Sequence, residues 1–200
     1  MSKSSKRAED AVNSAPLVEG RSSELEQIDA AKIESGEMFD NDPERDRKLP
    51  RRRLARERVM QMLYAHAVNG RDIDELFAEM IQGDLDKEDP ALDFARSLTL
   101  RFKTHEAEIN TLIGEKLKHW DFKRIALIDR LLIEIGITEL RYFPEIPPKA
   151  TINELIEIAK DYSTDESGKF INGILHAVMT QLSEAGELNK TGRGLIDRTM

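Results

Sequence analysis

Apolar positions recur at spacings of three and four along most of this chain, the pattern of helices that each turn one face toward a core. The first such run opens at Arg51, directly after Pro50, a residue that suits a helix start because it lacks only an N–H that would be unpaired there. Ala55, Val59, Met62, Leu63 and His66 keep to one face, and Gly70 ends the run. A second helix is expected over 72–81, with Asp72 as N-cap and Ile73, Leu76, Phe77 and Met80 inward. After a polar loop at 83–89 the spacing predicts a long helix over 90–118, burying Leu92, Ala95, Leu98, Phe102, Ile109, Leu112 and Ile113. The most apolar segment, 122–142, spreads Ile125, Leu127, Ile128, Leu131, Leu132, Ile135, Ile137 and Leu140 around more than half of a helix, so it is expected to be central. Further helices are expected over 149–162 and 166–184. No alternating strand pattern interrupts the series, which predicts an all-α bundle of six to seven helices.

The two ends read differently. Residues 1–47 have no sustained apolar period and are rich in Ser, Glu, Asp and Ala, so a disordered extension is expected ahead of a helical domain at 48–184. The simplest role for that extension is solubilising, and the alternative is an acidic arm that folds over the basic stretch beside it. Residues 185–200 are expected to be a flexible tail.

Composition narrows the chemistry. There is no cysteine, so disulfides, thiolate nucleophiles and thiolate metal sites are excluded. The longest apolar stretches fall far short of a bilayer span, and the N-terminus has no apolar region of the kind that signals export, so a cytoplasmic protein without membrane contact is expected. The histidines His66, His105, His119 and His176 are scattered without metal-ligand spacing. No phosphate-binding glycine loop, nucleophile elbow or His-Glu-x-x-His occurs. A non-enzymatic protein with no cofactor and no metal is therefore expected.

Charge changes the picture again. The net charge is −8, yet 45–58 holds eight basic residues against Asp46 and Glu57. Binding to phosphate depends on local charge, and arginine offers a planar fork of donors suited to phosphate oxygens. Arg51, Arg52, Arg53 and Arg56 crowd the start of a helix, whose free N–H groups also favour anions. A second candidate is Ser167-Gly168-Lys169-Phe170-Ile171-Asn172-Gly173-Ile174-Leu175, where Lys169 and Phe170 set a cation beside a stacking surface, as single-stranded RNA recognition uses. The third segment, 150–160, reads as packing, with Asn153 and Glu154 as polar residues able to bond neighbouring helix ends.

These segments, in this order, resemble the NusB transcription antitermination family. The resemblance runs from Arg51-Arg52-Arg53-Leu54-Ala55-Arg56-Glu57 and Leu63-Tyr64 through Asp129-Arg130-Leu131-Leu132, Glu139-Leu140, Ile152-Asn153-Glu154 and Ala159-Lys160 to Lys169-Phe170-Ile171-Asn172-Gly173, about residues 50–183. It implies two small helical bundles with RNA gripped at the arginine-rich start. It also implies a heterodimer with the small-subunit ribosomal protein that serves as NusE, binding boxA RNA of ribosomal RNA leaders and acting on elongating RNA polymerase. By position, Arg52, Arg53 and Arg56 would meet phosphates, Lys169 and Phe170 would contact RNA, and Tyr64 and Asp129 would face the protein partner. Leu54 replaces a frequent arginine, which shifts the expected grip toward Arg51, and Glu166 and Gly168 also depart from the family pattern. Related readings are a homodimeric interaction module, or the helical RNA-binding domain that accompanies ribosomal RNA cytosine methyltransferases.

Overall fold

A computed structural model describes residues 39, 41–83, 85–117 and 125–195. Among them every regular element is helical: α1 (Pro43–Lys48), α2 (Arg51–Asn69), α3 (Ile73–Met80), α4 (Pro90–Lys116), α5 (Leu127–Tyr142), α6 (Pro148–Tyr162), α7 (Ser167–Glu184) and a 3-10 turn (Gly192–Leu195). The expected helix at 122–142 begins at Leu127, and the expected positions Phe122 and His119 lie outside the described residues. None of the described helices is long and apolar enough to cross a membrane.

Local chemistry sets most boundaries. Asp42, Asp72 and Asp89 cap α1, α3 and α4, each side chain accepting from backbone N–H groups of the first turn. By contrast α2 and α6 begin after Pro50 and Pro147 with no side-chain cap. In both, the carbonyl of that proline accepts from the amides three and four residues on.

The helices pack as α2, α3 and α4 on one side and α5, α6 and α7 on the other, with α5 also touching α2 and α4. This matches the two small bundles that the family resemblance implies. The central position of α5 follows from its apolar spread: Leu131 through Leu140 are buried without a break. At Gly136 a side chain would lie 2.6 Å from a Leu175 methyl and 2.9 Å from one of Leu155, so a bare backbone lets α7 and α6 close onto α5.

The described parts of both ends pack on the helical domain. The boundary at 47/48 falls inside a helix, because α1 packs on α2 through ion pairs: Arg45 donates to Glu57 at 2.7 Å and Arg58 pairs with Asp46. Phe39 meets Tyr64 and Tyr162 edge-on, at 5.7 and 5.9 Å between ring centres. This cover explains why α2 is buried from Leu54 to Ala65 without a break, polar face included. The expected flexible tail, in its described part, is also seated. Lys190 is buried and donates to the carbonyls of Glu139 and Phe143 at 3.1 and 2.9 Å, closing the C-terminal end of α5. Burial pushes its pKa down to about 8. Residues 1–38 of the expected extension and 196–200 of the tail lie outside the described residues.

Candidate nucleic-acid interface

The start of α2 is one end of the molecule. Arg51 pairs with Asp89, the cap of α4. Arg53 forks onto Glu154 of α6, Nε to Oε2 at 2.8 Å and a terminal nitrogen to Oε1 at 3.2 Å. Both Arg52 and Arg56 lie over the ring of Phe94, the fifth residue of α4, each 5.2 Å from its centre. These contacts bring the first turns of α2 and α4 and the second turn of α6 together, and the start of α2, without a side-chain cap, lies among the arginines.

The four arginines named from sequence have different fates. Arg52 is exposed and, among the described residues, makes no ion pair. Arg51 and Arg53 are partly exposed and already hold carboxylates, so a phosphate there would replace Asp89 or Glu154. Arg56 corrects the expectation of a phosphate contact. It is only 3% exposed, and donates to both oxygens of Glu139 at 2.6 and 2.8 Å while Thr151 donates to the same carboxylate. Burial works against its charge, but Glu139 more than compensates and holds the pKa above its ordinary value. Arg56 ties α2 to α5 and leaves no donor fork for RNA.

Lys169 projects from the first turn of α7 with 80% of its side chain exposed and pairs with Glu166 at 3.2 Å. Phe170 beside it is half-buried against the core. No described hydrogen bond or ion pair joins this pair to the arginines. The two groups are linked through α6, which Arg53 meets at Glu154 and Ser167 meets through Ser163 at 2.9 Å.

The residues expected to face a protein partner are engaged within the fold. Tyr64 is 8% exposed beneath Phe39. Asp129 is 7% exposed and accepts from Ser163 at 2.6 Å and Ser167 at 2.8 Å, fixing the turn between α6 and α7. Sequence reasoning missed the exposed cations Arg47 and Lys48 as part of the end, and Phe94 as the ring under two arginines. Only membership of the basic run could have pointed to Arg47 and Lys48. Nothing local marked Phe94. Among the described residues no group of three His, Asp or Glu is placed to hold a metal ion.

Comparison with known proteins agrees with this architecture. The model of the NusB family matches residues 53–180. The transcription antitermination protein NusB of Salinibacter ruber (strain DSM 13855 / M31) is 42% identical over 145 residues, covering 72% of this chain and 91% of the relative. The solved NusB of T. maritima is 35% identical with a TM-score of 0.60, over 67% of this chain and 93% of that one. A crystal structure of antitermination factors NusB and NusE in complex with dsRNA aligns at 27% identity and a TM-score of 0.59, over 66% of this chain and 97% of the matched one. An all-α fold with an arginine-rich helix start, matched over these lengths, places the chain in the NusB family.

Proposed function

We propose that this protein is a transcription antitermination factor of the cytoplasm that binds boxA-type single-stranded RNA of nascent ribosomal RNA leaders. It does so together with the NusE-type ribosomal protein, and the assembly acts on elongating RNA polymerase. The observation that carries the reading is the basic start of α2, where exposed Arg52 stands beside Arg51 and Arg53 at a helix end without a side-chain cap. Exposed Arg47 and Lys48 lie just before it in the chain. The antitermination name of the Salinibacter relative and the NusB–NusE pairing in a solved neighbour support the same reading.

In this reading phosphates bind at Arg51, Arg52 and Arg53, Lys169 adds a further cation, and Phe170 offers the exposed part of its ring to a base. Arg56 acts from the interior by holding α2 in place. With these four phosphate contacts the log–log salt slope on single-stranded RNA is about −2.8. The test is fluorescence anisotropy with a boxA-like RNA, its scrambled version and its duplex, each with and without the NusE-type protein. Tighter binding to single-stranded boxA that rises with the partner is expected. Equal weak binding to all three RNAs, unaffected by the partner, would sink the proposal. So would a gel-filtration homodimer indifferent to RNA.

A further inference from the structure

Most described arginines hold a carboxylate: Arg45, Arg51, Arg53, Arg56, Arg58, Arg71, Arg130 and Arg141. Arg47, Arg52, Arg96, Arg101 and Arg193 form no ion pair among the described residues, and two of them, Arg52 and Arg101, lie on one pair of touching rings. Arg52 lies over Phe94 at 5.2 Å. Phe94 meets Phe143 edge-on at 5.4 Å, and Arg101 lies over Phe143 at 4.6 Å. Arg193 is carried to the same corner by the C-terminal segment. The Thr191 amide donates to the Pro144 carbonyl at 2.9 Å. Gly194 presses so closely on that oxygen that a side chain there would lie 2.2 Å from it. Arg193, between them in sequence, is exposed.

We propose that the RNA surface does not stop at the start of α2 but continues over the Phe94–Phe143 rings to Arg101 and Arg193, which take two further phosphates of the same single strand. The inference rests on the RNA-binding reading above and extends its footprint. A guanidinium lying on a ring is held in position while its N–H edge stays available, so less freedom is lost when a phosphate arrives. Arginine is also weakly hydrated for a cation, which lowers the cost of that exchange. Among the described residues neither Arg101 nor Arg193 is in an ion pair. Two anchors hold the segment that brings Arg193, the Pro144 contact and the buried Lys190 on the end of α5.

The test uses the full chain and a boxA-like RNA with single-stranded flanks on both sides, titrated by anisotropy at several salt concentrations. Each phosphate left without its arginine flattens the slope by about 0.7 and weakens binding about fourfold near 0.15 M salt. The double variant Arg101→Gln/Arg193→Gln is expected to bind on the order of tenfold more weakly, with helicity unchanged. Arg96→Gln removes one unpaired arginine stacked on Phe77 at a different place, and is expected to leave the slope alone. If Arg101→Gln disturbs folding, Arg193→Gln alone still decides, because its side chain is exposed: the slope must flatten by about 0.7. A wild-type protein that binds while the double variant keeps the same slope overturns the extension and leaves the α2 site standing. An Arg96→Gln loss as large as that of the double variant overturns it too, reducing the effect to net charge. A wild-type protein that binds no RNA removes both readings.

Discussion

Arg52 and Arg56 are one helical turn apart on α2, and their guanidiniums lie equally far from the same ring, Phe94. The first is exposed and unpaired, whereas the second is sealed against Glu139. One turn of helix separates a cation that can recruit a ligand from one that holds the fold. The difference lies in what each turn faces: the first is the uncapped end of α2, and the second points between α2 and the buried acid of α5. A run of arginines in a sequence is therefore not one site.

The contrast is broken most severely at Arg56. Arg56→Ala strands the Glu139 carboxylate in the interior and is expected to lower stability by about 3–5 kcal/mol in urea unfolding. The same substitution paired with Glu139→Leu should recover much of the loss, because the unpaired charge goes with it. A loss below ~1 kcal/mol for the single variant would mean that the pair does not hold the two helices together.

Lys190 offers a second kind of buried cation, bonded to carbonyls instead of a carboxylate, and its behaviour with pH distinguishes the two. Its folded pKa of about 8 lies below the ordinary 10.5, so between these values the unfolded chain binds more protons and stability rises with pH. Relative to Lys190→Met, the wild type is expected to gain on the order of 1–3 kcal/mol between pH 8 and 10. Tyr142 and Tyr162 have raised pKa values and act in the opposite direction only above about pH 10, where the unfolded phenols ionise. A flat difference in thermal melts over that window would show that Lys190 is not desolvated.

Arg53 is intermediate. Its partly exposed pair with Glu154 is worth about 0.5–1 kcal/mol, so Arg53→Ala should cost about that in stability and also weaken RNA binding about fourfold. Arg52→Ala is expected to have the smallest effect on the fold, within about 1 kcal/mol for the missing cation over the ring, with a fourfold loss of RNA affinity. If Arg52→Ala unfolded the protein as Arg56→Ala does, the distinction between the two turns would collapse.

How far the sequence reached depends on the range of the forces involved. Helices α2 to α7 were legible because their apolar spacing, caps and prolines act within a few residues, and α5 declared its central place by being apolar nearly all round. The order of α1 was not legible. It is six residues long with none buried, and it is placed by Arg45 and Asp46 reaching residues twelve positions away. The seating of 188–195 was hidden for the same reason, since Lys190 bonds atoms about fifty positions earlier. In the candidate site, the basic end and the exposure of Lys169 could be read directly. The sorting of the arginines could not, because it depends on acids 83 and 101 positions away at Glu139 and Glu154.

The bonds from Lys190 to the end of α5 also set an order of events during synthesis. Proteins are made from the N-terminus, and α5 leaves the ribosome well before the residue that closes its last turn. Until residue 190 emerges, the carbonyls of Glu139 and Phe143 have only their backbone partners, the amides of Phe143 and Ile146, and the corner carrying Arg101 and Phe143 is unfinished. The nascent chain can assemble most of its core early, yet it acquires this corner only after residues 190–194 have followed α5 out.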